Sequence, residues 1–134
     1  MSAITHPAVS TARDALLRLA MRVDAVIVGI AGVALLAAAG WFSDLTGLPV
    51  SVEYGVGIFS VAYGIAVFTL AAIDRVRPAG IGTVIANLAC TAIAVAVVLT
   101  DVVALTGAGV AFVIATGLYT LVMAEWQYAG VRRI

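Results

Sequence analysis

Four long apolar stretches, separated by short polar segments, dominate the pattern of hydrophobic and polar positions along the chain. They cover approximately residues 25–42, 54–73, 81–100 and 108–128. A helix of about 20 apolar residues is long enough to cross the hydrocarbon core of a bilayer. The pattern therefore predicts an all-α membrane protein, a four-transmembrane-helix bundle.

The chain before the first apolar stretch has a different pattern. Residues 1–9 show no periodicity and are interpreted as a flexible tail. Between residues 10 and 24, apolar and charged residues recur every three or four positions on different sides, with Arg18 and Arg22 on the charged side. Such a segment is typical of an amphipathic helix lying in the membrane interface. We therefore expect a tail, an interfacial helix at 10–24 and a transmembrane bundle at 25–134.

Composition supports a membrane protein and excludes other classes. The chain is 64% hydrophobic and only 10% charged, whereas a typical soluble domain has about 25% charged residues. Its formal net charge is zero, so a nucleic-acid binder that depends on a basic surface is excluded. The expected partner is the lipid bilayer, with no nucleic acid.

The arginines indicate how the chain is oriented. All seven precede the first span, lie between the second and third, or follow the fourth: Arg13, Arg18, Arg22, Arg75, Arg77, Arg132 and Arg133. The acidic residues Asp44, Glu53 and Asp101 lie in or beside the other two connections. By the positive-inside rule, we expect a plasma-membrane protein with both termini in the cytoplasm.

Small residues mark the faces along which the spans are expected to pack. In a bilayer, helices associate where small residues allow close approach and where polar groups bond across. Such residues form one stripe in each span, and the stripes include Gly29 and Gly32, Gly57 and Gly64, Thr83 and Asn87, and Gly109 and Gly117. The simpler interpretation is that the stripes hold one bundle together. The alternative is that one of them contacts a second copy or a larger membrane protein.

Asn87 points to a candidate polar site. It lies about two turns inside the third apolar stretch, where an unpaired amide would be costly. Facing hydroxyl groups could satisfy this amide in a purely structural contact. Alternatively, polar residues near mid-membrane could form a pocket for a headgroup or a small polar solute. The candidate pocket comprises Ser60, Tyr63, Asn87, Cys90, Thr91, Thr116 and Tyr119.

Charged residues near the arginine-bearing ends of the spans have two interpretations. We expect Asp24 and Glu125 to pair with arginines at the interface, which would leave no carboxylate at mid-span and disfavour a proton-coupled carrier. The alternative is a binding site for an anionic lipid or a protein segment. Its candidate contacts are Arg18, Arg22, Arg75, Arg77, Arg132 and Arg133.

The sequence contains no recognisable set of catalytic residues. It has no glycine-rich phosphate loop, no Ser–His–Asp set and no cluster of metal ligands. Its single cysteine, Cys90, lies in an apolar stretch, and its single histidine, His6, lies in the N-terminal segment. We therefore predict that the protein is not an enzyme and that it has no cofactor and no metal site.

Several short segments together resemble a group of small four-span integral membrane proteins common in actinobacteria. They are RVDAVIVGIAG at residues 22–32, the Tyr63-Gly64 pair, Ile85-Ala86-Asn87 and the terminal Arg132-Arg133. The resemblance covers most of the chain and implies the four-span fold. The group has no established activity, so the resemblance implies no functional residue.

These observations favour a non-enzymatic integral membrane protein, either a homo-oligomer or an accessory subunit of a larger membrane complex. The alternative is a small transporter, or a membrane protein that binds a lipid or small solute in a mid-membrane polar pocket. Tyr63, Asn87 and Tyr119 are the residues that distinguish the two, because a transport route would have to hydrate them.

Overall fold

A computed structural model of the 134-residue chain describes the backbone of residues 2–134 and the side chains of residues 13–134. Five helices follow one another: α1 (Ser2–Ala37), α2 (Ala39–Thr46), α3 (Val50–Leu70), α4 (Val76–Thr100) and α5 (Gly107–Val131). Within residues 2–134 there are no strands. The predicted all-α class is confirmed.

Four of these helices are long and apolar enough to cross a membrane. They are the part of α1 from Arg13 to Ala37, and the whole of α3, α4 and α5. This confirms the prediction of four helices of spanning length. The additional short helix α2 was not predicted. It arises because the backbone at Ala38, with φ −133° and ψ 33°, interrupts the helix inside the predicted span 25–42.

The N-terminal segment is only partly described. The predicted flexible tail, residues 1–9, lies outside the residues with described side chains. The structure does not confirm a separate interfacial helix at residues 10–24, because α1 continues without a break to Ala37. The side chains of Leu17 and Met21 in this segment are fully buried. The described part of the segment therefore belongs to the bundle.

The four long helices form two pairs. α1 packs along α3, and α4 packs along α5. The two pairs meet mainly through α1 and α5, whereas α3 and α4 hardly touch each other. The order across the bundle is therefore α3, α1, α5, α4.

Glycines allow the close approach of neighbouring helices. A Cβ atom on Gly32 of α1 would lie 2.8 Å from the carbonyl oxygen of Gly57 and 2.8 Å from the amide nitrogen of Val61, both in α3. A Cβ atom on Gly130 of α5 would lie 2.7 Å from the Cα of Leu17 in α1. These backbone contacts confirm that small residues lie at helix interfaces, where van der Waals packing holds membrane helices together.

The apolar core lies towards one end of the bundle. We call this the arginine end, because the arginines lie there. It contains the start of the apolar part of α1, the α3–α4 turn and the end of α5. Seven buried residues form the core there: Leu17, Met21, Ala25, Val67, Ala71, Val76 and Val131. Towards the opposite end, called the α2 end, the buried residues are small or polar: Gly32, Ala39, Thr46, Glu53, Gly57 and Gly109. The two halves of the bundle are therefore packed differently.

At the α2 end, Thr46 joins α2 to α3 and α5. Its carbonyl oxygen accepts a hydrogen bond from the amide of Thr106 at 3.0 Å. Its hydroxyl oxygen lies 2.9 Å from Oε1 of Glu53, a carboxyl group that is only 4% exposed. Gly109 packs directly on the Thr46 backbone, where a Cβ atom would clash. These contacts hold α2 across the start of α3 and of α5.

Replacing Gly32 with alanine should destabilise the protein. The new Cβ atom would overlap backbone atoms of α3 and force the α1/α3 pair apart, at a cost of about 1–3 kcal/mol. Thermal unfolding of the purified protein in detergent measures this effect. Gly82→Ala is the matched control, because a Cβ atom there meets nothing within 4 Å. An equal loss of stability in both variants would show that close α1/α3 packing is not the cause.

Candidate functional site

The fully buried side chain of Asp24, 0% exposed, connects all four long helices. Its Oδ2 accepts hydrogen bonds from the Tyr63 hydroxyl of α3 at 2.8 Å, from Nδ2 of Asn87 in α4 at 3.0 Å and from Nε2 of Gln127 in α5 at 2.9 Å. Its Oδ1 accepts one from the Tyr119 hydroxyl of α5 at 2.7 Å. We call these five residues the Asp24 cluster.

The expectation that Asp24 pairs with an arginine at the interface is wrong. Among the side chains of residues 13–134, the one ion pair is between Arg18 and Asp14. Asp24 lies seven residues after Leu17, on the same buried face of α1, whereas Arg22 is exposed on another side. Helical rotation therefore separates the carboxylate from the arginines. The expectation that no carboxylate lies at mid-span is also wrong, because Asp24 lies near the middle of the candidate span Arg13–Ala37.

All four partners of Asp24 are neutral hydrogen-bond donors. An ionised carboxylate only accepts hydrogen bonds, at about four lone-pair sites, so the arrangement suits an anion. Burying a charge is costly unless it is paired or hydrogen-bonded. Here hydroxyl and amide groups offset that cost, and no described cationic side chain does so. Among the described residues, the Asp24 carboxyl group is therefore buried and hydrogen-bonded entirely by neutral groups.

The two amide side chains of the cluster also bind each other. Nδ2 of Asn87 lies 3.0 Å from Oε1 of Gln127 and 3.1 Å from the carbonyl oxygen of Thr83. Gln127 is 0% exposed. It was not among the predicted site residues, although its position seven residues after Thr120 on the polar stripe of α5 could have identified it.

The cluster lies well inside the bundle. Asp24 is six residues along α1 from Arg18, which corresponds to about 9 Å of helix. Arg18 itself contacts the end of α3, where it donates to the carbonyl oxygens of Ala71 and Ile73, each at 2.7 Å. The Asp24 carboxylate therefore lies inside the bundle, in the arginine-end half, and not at the end itself.

Of the seven predicted pocket residues, three contact Asp24: Tyr63, Asn87 and Tyr119. Thr91 lies one turn from Asn87 and forms a separate hydroxyl pair with Thr120 of α5, at 2.7 Å. The structure therefore brings part of the predicted pocket together, around a residue that was not assigned to it.

The other three predicted residues make no hydrogen bond to the cluster. Ser60 is buried against Gly32 at the α1/α3 contact. Cys90 is half-buried. Thr116 is exposed, and its hydroxyl donates to the carbonyl oxygen of Phe112 in its own helix at 2.9 Å.

Arg18 has a structural role at the α3–α4 turn. Besides its contacts with Ala71 and Ile73, its Nη2 donates to Oδ2 of Asp14 at 3.0 Å and to the carbonyl oxygen of Asp74 at 3.2 Å. Carbonyl groups at a helix end lack intrahelical hydrogen-bond donors, and the guanidinium group of Arg18 provides donors for them. This guanidinium group is therefore engaged by the protein itself.

The other candidate lipid contacts are exposed around the arginine end: Arg22, Arg75, Arg77, Arg132 and Arg133. The guanidinium carbon of Arg132 lies 5.7 Å from the centre of the Tyr128 ring. Among the described residues, no three His, Cys, Asp or Glu side chains come together as a possible metal site.

Replacing Gln127 with methionine should destabilise the bundle by about 1–3 kcal/mol, because it removes one donor to Asp24 and leaves buried polar groups unpaired. Chemical unfolding in detergent, followed by tryptophan fluorescence, measures this change. Thr116→Val is the control, since that hydroxyl is exposed and bonds only within α5. If Gln127→Met were as stable as the wild type, the contacts of Gln127 would contribute nothing to the bundle.

Comparison with known proteins does not assign the chain to a family. No protein-family model, no curated protein and no solved structure matches it. The resemblance to actinobacterial four-span membrane proteins therefore stays a prediction, and the function has to be argued from the geometry of the Asp24 cluster.

Proposed function

We propose that the chain is a small, non-enzymatic membrane protein of the transport class, in which the Asp24 cluster binds a proton or a monovalent cation. The observation that carries this proposal is the fully buried Asp24 carboxylate, bonded only by neutral groups. Ionisable residues inside membrane helices are rare and costly, and they commonly mark ion or proton pathways.

This proposal reverses the order of the two functions that the sequence suggested. The preference for a homo-oligomer or an accessory subunit depended on the shortage of deep polar groups. Asp24 and Gln127 lie among the fully buried residues of the bundle. The ground for that preference is therefore removed, and a small transporter or solute-binding protein becomes the better supported function.

The chemistry of the cluster suits a positively charged ligand. A buried carboxylate that is bonded only by neutral groups attracts a positive charge strongly, because the surroundings screen the charge weakly. The hydroxyl groups of Tyr63 and Tyr119 can rotate, so that each donates to the carboxylate or offers its lone pairs instead. Oε1 of Gln127 adds a further oxygen nearby. The cluster could thus exchange donated hydrogen bonds for a bound proton or cation without moving a helix.

The same contacts would also serve a purely structural cluster, in which Asp24 only holds the helices together. Such a cluster would bind no ligand, and the chain would then act as a homo-oligomer or an accessory subunit. The two roles differ in one measurable property. Only a binding site makes the stability of the folded protein depend on the concentration of a specific ligand.

Cation binding predicts ligand-dependent stability that Asp24→Asn abolishes. At a cation concentration about 100 times its Kd, the wild type should gain about 2.7 kcal/mol. We would measure unfolding in detergent with LiCl, NaCl or KCl against N-methylglucamine chloride at constant ionic strength. Asp44→Asn, an exposed site on α2, is the control.

A proton as the ligand gives a different result in the same protein. Vesicles that contain the wild type should then show proton movement down an imposed pH gradient that vesicles with Asp24→Asn lack, with no selective effect of any cation on stability. If the wild type and Asp24→Asn behave alike in both measurements, the cluster is structural and the proposal is wrong.

We also propose that the bundle spans the plasma membrane with both termini in the cytoplasm. The proposal is supported by the position of all seven arginines near one end of the bundle and by the positive-inside rule. Exposed arginines there are placed to meet anionic lipid headgroups. Asp44 is exposed at the other end of the bundle, on α2.

Labelling of intact cells tests this orientation. In a Cys90→Ser background, an impermeant maleimide added outside should modify Asp44→Cys and leave Arg133→Cys unmodified. After the cells are opened, both variants should react, which controls for thiol accessibility. Labelling of Arg133→Cys alone in intact cells would reverse the proposed orientation.

A further inference from the structure

The two oxygen atoms of the Asp24 carboxyl group receive unequal numbers of hydrogen bonds. Oδ2 accepts from three side chains, those of Tyr63, Asn87 and Gln127. Oδ1 accepts from one donor, the hydroxyl of Tyr119 at 2.7 Å. A carboxylate oxygen has about two lone-pair sites. The donors at Oδ2 therefore fill its lone pairs, whereas Oδ1 retains capacity for one more hydrogen.

The two amide groups at Oδ2 hold each other in one orientation. Oε1 of Gln127 lies 3.0 Å from Nδ2 of Asn87, which also lies 3.1 Å from the carbonyl oxygen of Thr83. Turning either amide over would place its oxygen against Oδ2 and break the bond between the two amides. Since an amide N–H group only donates, both side chains present hydrogens to Oδ2. A proton on Oδ2 would therefore meet these hydrogens.

The two hydroxyl donors differ in the number of contacts that they make. The hydroxyl of Tyr63 donates to Oδ2 at 2.8 Å and lies 3.3 Å from the donor Nδ2 of Asn87. Among the described residues, the hydroxyl of Tyr119 is hydrogen-bonded only to Oδ1. A hydroxyl group carries one hydrogen and two lone pairs, and it can rotate. Tyr119 is therefore the donor that can become an acceptor without disturbing another contact of the cluster.

We propose that the ligand of the Asp24 cluster is a proton, which binds to Oδ1 and is positioned there by the hydroxyl oxygen of Tyr119. That the cluster binds a ligand rests on the proposed function, whereas the choice of a proton rests on the hydrogen bonds. On protonation, a hydronium ion gives its proton to Oδ1 and leaves as water. The hydroxyl of Tyr119 turns from donor to acceptor and keeps its own O–H bond. The three hydrogen bonds to Oδ2 remain, so that one of four has to reverse.

The same geometry disfavours a metal cation. A cation inside a membrane protein needs several oxygen ligands in place of its water shell. At Oδ2, the amide hydrogens of Asn87 and Gln127 would repel it. At Oδ1, the oxygen of Tyr119 is 2.7 Å away, an ordinary length for an O–H···O hydrogen bond. A metal ion between these two oxygens would push them apart, whereas a proton fits between them as they stand.

The groups around Asp24 leave proton uptake in acid to this one carboxyl group. Asp24 forms no ion pair with a described cationic side chain, and Arg22 is exposed on another side of α1. The titratable groups near it are the hydroxyls of Tyr63 on α3 and Tyr119 on α5, and the thiol of Cys90 on α4. Hydroxyl and thiol groups lose their protons only in alkaline solution. They are therefore already protonated when Asp24 takes up a proton.

Infrared spectroscopy of the protein in lipid identifies the oxygen that carries the proton. In acid, the carboxyl C=O stretching band that the wild type shows and Asp24→Asn lacks belongs to protonated Asp24. With the proton on Oδ1, the carbonyl oxygen is Oδ2. Gln127→Met removes a donor to Oδ2 and should therefore move the band to higher wavenumber. Tyr119→Phe should move it less, because Tyr119 contacts Oδ1.

Tyr128→Phe is the control for these spectra, since Tyr128 is 53% exposed on α5 and outside the cluster. It should leave the band in place. A larger shift in Tyr119→Phe than in Gln127→Met would place the proton on Oδ2 and overturn the proposal.

Proton movement in vesicles under an imposed pH gradient tests the role of Tyr119. Tyr119→Phe should lower the initial rate at least about tenfold, because a proton on Oδ1 loses the acceptor that positions it. Tyr128→Phe should keep the wild-type rate. A wild-type rate in folded Tyr119→Phe would overturn this role. If Tyr119→Phe does not fold, the band of Gln127→Met decides, and an unshifted band there overturns the proposal.

This proposal and the proposed function fail in different ways. No Asp24 band in acid, together with stability that depends on one metal cation in the wild type only, would retain the binding site and overturn the proton as its ligand. The expected band shifts without proton movement or a cation effect would leave the proton on Oδ1 and remove the proposed function.

Discussion

The requirement that a buried carboxylate be hydrogen-bonded constrains the whole bundle. Asp24 has no cationic partner among the described side chains, so three other helices must supply its donors. Each donor has to reach within about 3 Å of one of two oxygen atoms. Because Tyr63, Asn87 and Gln127 are attached to rigid helices, this requirement sets the rotation and the axial position of α3, α4 and α5 around α1.

The two halves of the bundle are packed differently. The arginine-end half contains the apolar core, and Arg18 closes the α3–α4 turn beneath it. The α2-end half depends on glycine contacts within each helix pair and on Thr46, which connects α2 to α3 and α5. Large apolar side chains therefore hold the helices together in the arginine-end half, whereas close backbone contacts hold them together in the α2-end half.

Much of the architecture could be predicted from the chain because it follows from local properties. Apolar length determines the four spans, and glycine spacing identifies faces that pack, as Gly32 against Gly57 shows. Tyr63, Asn87 and Tyr119 were predicted as candidate site residues because polar groups inside a membrane need partners. Asp24 was assigned to the interface, since its neighbours along the chain include Arg22. The break at Ala38 has no local signal, because an alanine-rich stretch favours a continuous helix.

By itself, the sequence determined the helical class, the number of spans and the presence of polar side chains that could not remain unpaired. Each of these depends on composition and periodicity within one segment. Only the tertiary structure decided that Asp24 faces inward and that Gln127, 103 residues further along the chain, donates a hydrogen bond to it. Contacts between distant helices depend on how the helices rotate and cross, and on how closely the glycines let them approach. No single segment of the chain carries that information.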